Sequence, residues 1–140
     1  MPDLKLLALD SEDLEIISAT TQDAVVRVGD MGFAMADKRF ALLMNRFAWE
    51  EDGKTRQRKR AALHFDRVRD VKVTGIDTTA VDGVLELLAI RFTITDDPSG
   101  LVDLDFAGGG TVRLSVEVLE ARLQDLGAAW AARATPEHTA

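Results

Sequence analysis

Between Ala24 and Val116, apolar residues recur mostly at every second position, and short polar turns separate the segments. Period two is the pattern of β-strands with one buried face. The clearest alternation is in 84–95, whereas 39–49 is predicted to be a long strand that is apolar enough to be covered on most of both faces. The intervening turns are too short to hold crossover helices, so consecutive strands must pair antiparallel. The sequence therefore predicts about seven strands in a bent antiparallel sheet or roll.

A helix is predicted before these strands. It follows the short apolar run 4–9, which is either a strand or a buried lead-in. Asp10 or Ser11 can cap the helix, and acidic residues in the first turn suit the positive end of the helix dipole. Its predicted inner face consists of Leu14, Ile16 and Ile17.

A second helix is predicted after the strands, over residues 115–127. Ser115 can cap its start and Gly127 can lie just past its end. Four residues form an apolar stripe at helical spacing: Val116, Leu119, Leu123 and Leu126. Seven strands closed by a C-terminal amphipathic helix is the element order of a pleckstrin-homology-like roll. The expected fold is therefore mainly β (α+β).

The length of 140 residues fits one domain. We expect residues 1–130 to form a single globular domain and 131–140 a flexible tail. No apolar run approaches the ~20 residues of a membrane span, and the N-terminus does not have the pattern of a signal peptide. The expected localisation is cytoplasmic, without a membrane partner.

Three consecutive glycines, Gly108 to Gly110, raise the question of a phosphate-binding loop. Such a loop places glycines directly between a strand and a helix. Here six alternating residues, 111–116, follow the glycines, and the lysine and hydroxyl residues of a phosphate loop are missing. The glycines are therefore interpreted as a tight turn between two antiparallel strands.

The residues that carry catalytic chemistry are sparse. The absence of cysteine removes thiolate nucleophiles and thiolate metal sites. His64 has Asp66 two residues on, and a carboxylate can orient a histidine as a general base. An ordinary strand histidine is the favoured interpretation. We therefore predict no catalytic residues, no metal site and no cofactor.

The segment 54–60 carries five positive charges and no acid: Lys54, Arg56, Arg58, Lys59 and Arg60. It is predicted to belong to a polar loop over residues 50–60. Such a loop can contact an anionic ligand or an acidic partner, or it can be a solvated loop that balances the neighbouring acids. The net charge of −7 disfavours nucleic acids as general partners.

Trp130 follows the predicted C-terminal helix and is a candidate contact in a homo-oligomer, since tryptophan is enriched in interface cores. Two functions remain open. The favoured one is a small non-enzymatic binding or adaptor protein that acts through a protein or anionic partner. The alternative is a small enzyme or accessory subunit that uses His64 and carboxylates. A deep pocket that contains His64 would favour the enzyme.

Several segments resemble one uncharacterised alphaproteobacterial protein family, a conserved domain of unknown function. They are LLALDSEDLEIISATTQDAVVRVGDM, KRFALLMNRFAWE, AALHFDRV, LELLAIRF and FAGGGTVRLSVEVLEARLQDLGAAWAAR. The resemblance runs from about Leu6 to His138. It implies a small bacterial cytoplasmic protein, and it supplies no catalytic or binding residues.

Overall fold

The alternating pattern of the sequence does form an antiparallel sheet. The structure, a computed structural model, describes residues 3–49 and 56–127. Within these ranges lie ten strands and one α-helix, in the order β1 (Lys5–Ala8), α1 (Ser11–Thr20), β2 (Val25–Arg27), β3 (Met31–Ala34), β4 (Arg39–Trp49), β5 (Arg56–Phe65), β6 (Val68–Thr74), β7 (Val84–Asp96), β8 (Ser99–Phe106), β9 (Thr111–Val116) and β10 (Ala121–Asp125).

The strands form one open sheet in the order β1-β10-β5-β4-β2-β7-β8-β9-β6, with β3 paired beside β4. All of the described pairs are antiparallel, as predicted. The predicted count of about seven strands and the pairing of all consecutive strands are wrong, because β6 pairs with β9 and β10 lies between β1 and β5. The three-residue strand β2 pairs with β4 on one side and β7 on the other. It divides the sheet into a first half (β1, β10, β5, β4 and β3) and a second half (β7, β8, β9 and β6).

A single cluster of buried residues draws on both halves. The first half contributes the inner faces of β4, β5 and β10, and the second half those of β8 and β9. Val26, at the centre of β2, is fully buried. Strand alternation explains this core, because every second side chain of each strand points toward the facing half. The largest fully buried side chains include Leu42, Met44, Leu63, Phe65, Leu104, Phe106 and Leu114.

Two chain segments cross between the halves side by side. The link from β5 to β6 passes from the first half to the second, and residues 117–120 pass back from β9 to β10. Backbone hydrogen bonds join the two crossings: Asp66 N donates to Glu120 O at 3.0 Å, and Glu117 N donates to Arg67 O at 2.9 Å. The halves are thus connected on the side away from β2 as well.

The N-terminal helix is confirmed. Asp10 is its N-cap, and the Asp10 carboxylate accepts the backbone N–H of Asp13 at 2.8 Å. Leu14 and Ile17 are buried, whereas Ile16 is 55% exposed, so the assignment of Ile16 to the inner face is wrong. A helix of period 3.6 places residues 14 and 17 on one side and residue 16 about 100° away from 17.

The predicted C-terminal helix is wrong, because the residues assigned to it are extended. Ser115 and Val116 end β9, and β10 lies between β1 and β5. Along β10, Ala121, Leu123 and Asp125 are buried while the residues between them are exposed. The segment fits either period, since leucines lie four apart and buried positions two apart. Two neighbouring strands supply backbone partners on both edges, and this pairing overrides helix propensity.

The glycine turn is confirmed. Gly108 and Gly109 have φ values of +90° and +96°, a region that favours glycine. Phe106 N donates to Gly110 O at 2.8 Å and closes the turn between β8 and β9. A Cβ on Gly110 would lie 2.6 Å from Ile76 Cγ1, so this third glycine permits a close approach. A second turn, over Met35 to Asp37, joins β3 to β4 and ends at Lys38, which is left-handed.

Part of the chain lies outside the described residues, including the predicted tail 131–140. The single domain over residues 1–130 stays a prediction. Within residues 3–49 and 56–127, no helix combines the length and apolar character needed to cross a membrane.

We predict that Gly109→Ala lowers the free energy of unfolding by about 1–2 kcal/mol, the cost of a left-handed residue with a Cβ. A Cβ at this position meets no atom within 4 Å, so the loss reports backbone conformation alone. Urea denaturation followed by circular dichroism measures it.

Gly32→Ala is the matched control, because its Cβ also meets open space and its φ is not in the positive region. It should leave stability unchanged or raise it slightly, since alanine restricts the unfolded chain. Equal losses in both variants would contradict the positive-φ explanation of the glycine turn.

Candidate functional site

The basic strip lies on a strand, so the predicted polar loop is wrong from Arg56 onward. Lys54 lies outside the described residues. Because side chains of a strand alternate between faces, the strip is divided. Arg58 and Arg60 share the outer face of β5, while Lys59 shares the inner face with the buried residue Ala61. The described charges therefore do not form one continuous patch.

On the inner face, an ion pair closes one end of the core. Arg46 of β4 lies opposite Lys59 in register, and its side chain is 8% exposed. Arg46 Nε and Nη2 donate to the two carboxylate oxygens of Asp125 at 2.8 and 2.7 Å. Leu4 N donates to Asp125 Oδ2 at 2.9 Å. This bidentate pair ties β4 to β10 and to the start of β1.

The Asp125 carboxylate is held ionised. Burial acts to raise its pKa, but hydrogen bonds from Arg46 and Leu4 and the positive charges of Arg46 and Lys59 outweigh burial and leave the pKa lowered. Both oxygens already accept from donors of the chain. Lys59 Nζ lies 3.9 Å from Asp3 Oδ1 at the same end. The cluster therefore acts as a structural closure.

The outer-face arginines of β5 are also engaged. The Arg58 guanidinium carbon lies 4.4 Å from the ring centroid of Phe47, a cation–π contact between adjacent strands. Arg60 donates to Asn45 Oδ1 and to Asp30 Oδ2, both at 3.4 Å. Arg60 is thus partly neutralised, and Arg58 remains as the exposed cation of this pair.

His64 lies on the outer face of β5, close to Asp66 as predicted. His64 Nε2 is 3.5 Å from Asp66 Oδ2 and makes no hydrogen bond. Asp66 Oδ1 instead accepts Arg39 Nε at 2.7 Å. Burial and the charge of Arg39 lower the pKa of His64 against the opposing effect of Asp66. His64 is therefore neutral at pH 7, and its carboxylate neighbour is bound to an arginine.

The outer face of the second half carries a ladder of alternating charges. Arg113 donates through Nε and Nη2 to the buried Asp103 carboxylate at 2.8 and 3.0 Å. Arg91 Nε donates to Asp105 Oδ2 at 2.7 Å, and this bond is the main cause of the lowered pKa of Asp105. These pairs link β7, β8 and β9 and leave their charges internally balanced.

A groove opens at the end of the core opposite the Arg46–Asp125 pair. A β-bulge at Leu88 shifts the register of β7, so that Ile90, Phe92 and Ile94 all point to the inner face. Their exposure rises along the strand from 4% at Ile90 to 57% at Ile94. The concavity has a volume of about 450 Å³. We define the apolar groove by its apolar lining: Leu9, Phe92, Ile94, Pro98, Val118 and Leu119.

Gly100 fixes the position of the Phe92 ring in this groove. A Cβ on Gly100 would lie 2.6 and 2.8 Å from two carbons of that ring and 2.5 Å from Thr93 O. The ring therefore packs directly on the backbone of β8 in a space that only glycine leaves open. The floor of the apolar groove is thus built by packing, and it does not depend on a loop.

The polar lining of the groove is acidic. Asp10 and Glu12 come from the start of α1, and Asp97 comes from the turn between β7 and β8. Arg69 approaches this region and donates to Ser99 Oγ at 3.3 Å, but its Nε lies 4.0 Å from Glu117. The groove therefore combines an apolar floor with three carboxylates at its rim.

Sequence reasoning missed this groove. The predicted alternation of β7 kept Leu88 in phase with Ile90, Phe92 and Ile94, whereas the bulge takes Leu88 out of phase. Leu9 and Leu119 were assigned to a strand or lead-in and to a helix. The pairing of distant segments brings them together, and no local pattern encodes that pairing.

Two further predictions concern a subunit interface and a metal site. Trp130 lies outside the described residues. Among the residues that the structure describes, no group of three or more histidines and carboxylates is arranged to hold a metal ion.

Comparison with known proteins identifies the family. The family model described as "Protein of unknown function (DUF2948)" matches residues 4–138. The match spans nearly the whole chain, so the protein belongs to this family, and the predicted resemblance to a conserved domain of unknown function is confirmed. No curated protein and no solved structure matches the chain.

We predict that Asp125→Asn lowers stability at pH 7 by about 3–5 kcal/mol, because it leaves Arg46 buried without its charged partner. The folded-state pKa of Asp125 is lowered, so its contribution is present above the unfolded pKa of about 3.9 and is lost as pH falls through the folded value. The difference between wild type and variant should therefore shrink below about pH 4. Urea denaturation across pH measures this.

Asp82→Asn is the control, since the Asp82 side chain is 89% exposed and pairs with Arg27 at 2.9 Å. Exposed ion pairs contribute little, so this variant should hardly change stability. A loss at Asp82 as large as that at Asp125 would contradict the distinction between a buried closure and a surface pair.

Proposed function

We propose that this member of the DUF2948 family is a small non-enzymatic binding module whose binding site is the apolar groove. One observation carries the proposal. The inner-face residues of β7 continue past the end of the core, so that Phe92 and Ile94 line an open concavity of about 450 Å³. Pockets that hold ligands have volumes of roughly 300–1,000 Å³. The groove is thus large enough for one or two bulky side chains.

A protein segment is the partner that suits this groove. Ile94 is 57% exposed and Leu9 is 58% exposed, and both lie beside the partly buried ring of Phe92. Exposed apolar residues that adjoin a concavity and are rimmed by polar groups mark interaction sites. A single apolar side chain inserted from a partner would bury all three at once.

The basic residues of β5 support an anionic partner less well. Lys59 faces the core end that holds Asp3 and Asp125, and Arg60 lies within 3.4 Å of Asp30. Arg58 is stacked on Phe47. A site for a polyanion needs several unengaged cations on one face. Of the two partner classes left open by the sequence, we therefore favour a protein.

The enzyme alternative would rest on His64. The residues that line the apolar groove do not include His64. Asp66, which would have to orient the ring of a general base, is bound by Arg39. Both observations support a binding role over a catalytic one.

The pleckstrin-homology-like relationship is a finer proposal about the fold. In its support, one helix packs against an antiparallel sheet whose two halves share a core. Against it, the helix follows β1 and precedes all the other strands, and no helix follows the last strand within the described residues. The proposed function does not depend on this relationship, since fold alone does not carry function.

We predict that a library of displayed peptides selected on the wild-type protein yields a family of related sequences with a bulky apolar residue. Ile94→Glu should abolish their binding, because it places a charge in the apolar groove. Fluorescence polarisation of the enriched peptides measures this loss.

Val84→Glu is the matched control. Val84 is 67% exposed and lies on the same strand at the end remote from the groove. It should leave peptide binding unchanged. Failure to enrich any peptide family, or equal binding by Ile94→Glu, would overturn the proposed function.

A further inference from the structure

We propose that the partner segment presents a bulky apolar side chain flanked by lysine or arginine. This inference rests on the proposed function and adds the charge of the partner. Its basis is the charge of the groove lining: three carboxylates, Asp10, Glu12 and Asp97, and no basic side chain among the lining residues. The complementary ligand is therefore apolar at its centre and cationic at its edges.

The start of α1 is the one feature of the groove that would favour an anion. The N-terminus of a helix carries a partial positive charge of about half a unit. That end is already occupied, since Asp10 accepts the N–H of Asp13 and Glu12 lies in the first turn. Three full negative charges outweigh half a positive one. The groove therefore has an apolar floor and a rim that favours cations.

The cations near the groove are committed to other acids. Lys38 Nζ lies 2.6 Å from Glu117 Oε2, and Arg69 Nε lies 4.0 Å from the same carboxylate oxygen. Glu117 has a lowered pKa, caused first by the hydrogen bond from Lys38. Both cations approach Glu117 and neither lines the groove. Within the described residues, Asp10, Glu12 and Asp97 therefore have no cation in ion-pair contact.

Two of the acids line the groove together with apolar residues close to them in sequence. Asp97 is three residues from Ile94 along the chain, and Glu12 is three residues from Leu9. All four residues line the same concavity. A peptide that inserts a leucine or phenylalanine would bring basic neighbours on either side within reach of Glu12 and Asp97.

The charge of the whole chain acts in the same direction. The net charge of −7 raises the local concentration of cationic segments and speeds their association at low salt. Binding should therefore weaken as salt is added. A purely apolar interaction would be insensitive to salt or strengthened by it.

The test uses four capped synthetic peptides on the full chain: KKLFKK, SSLFSS, EELFEE and KKSSKK. Fluorescence polarisation should show KKLFKK binding about tenfold more tightly than SSLFSS at low salt, with EELFEE and KKSSKK weaker still. Raising salt from about 50 to about 300 mM should remove most of the advantage of KKLFKK. Equal binding of KKLFKK and EELFEE would overturn the inference.

Variants that remove acidic charges test which carboxylates cause the preference for KKLFKK. Glu12→Gln and Asp97→Asn together should reduce KKLFKK binding to the level of SSLFSS, while Asp70→Asn, an exposed acid on β6, should not. Asp10 is left intact because it caps α1.

If SSLFSS and KKLFKK bind equally and Ile94→Glu abolishes both, the proposed function stands and the cationic partner is overturned. If neither KKLFKK nor SSLFSS binds the wild-type chain, the proposed function falls together with the cationic partner.

Two other occupants of the apolar groove would each give a different experimental result. Sedimentation velocity that shows a dimer converted to monomer by Ile94→Glu would identify a second copy of this chain. A marked gain in peptide affinity on Trp130→Ala would identify the chain's own C-terminal segment. Either result would overturn the cationic partner. A monomer whose peptide affinity does not change on Trp130→Ala supports it.

Discussion

Strand β2 forces the two halves of the sheet to share one core. Only three residues long, it pairs with β4 through Val25 and with β7 through all three residues, and it buries Val26 completely. Because the sheet turns here, the inner faces of β4, β5 and β10 meet those of β8 and β9. A core formed between two facing halves is open at its ends, and each end must be covered separately.

The two ends differ in their chemistry. At one end, Arg46 and Asp125 form a buried pair with both carboxylate oxygens satisfied. Such a pair costs desolvation, and removing one partner leaves the other as an uncompensated buried charge. At the other end, apolar side chains of β7 extend beyond the core and acids stand beside them. The first end is complete within the chain, whereas the second end has apolar surface that a partner can cover.

The sequence predicts much of this fold where local patterns suffice. The bounds of β4 follow from its apolar run, the turn at Gly108 to Gly110 from the preference of such turns for glycine, and the cap of α1 from capping chemistry. Residues 115–127 were misread because their apolar residues fit both a helix and a strand, and only the neighbouring β1 and β5 decide between them. The division of the basic strip follows once Arg56 to Arg60 are known to be extended.

The candidate site depends on information that local patterns do not carry. The bulge at Leu88 sets which face of β7 Phe92 and Ile94 occupy, and the register of distant strands brings Leu9 and Leu119 beside them. The Arg46–Asp125 pair likewise joins residues 79 positions apart. Sequence spacing indicates residue types, but tertiary pairing decides which of them meet.

Amide NMR of the labelled protein titrated with a cationic–apolar peptide tests the central claim most directly. A binding site in the apolar groove predicts shifts concentrated on residues 9–12, 92–98 and 118–119, with the amides of β5 from Arg58 to Arg60 unmoved. Shifts concentrated instead on Phe47, Arg58 and Arg60, or spread evenly over both ends of the core, would contradict it.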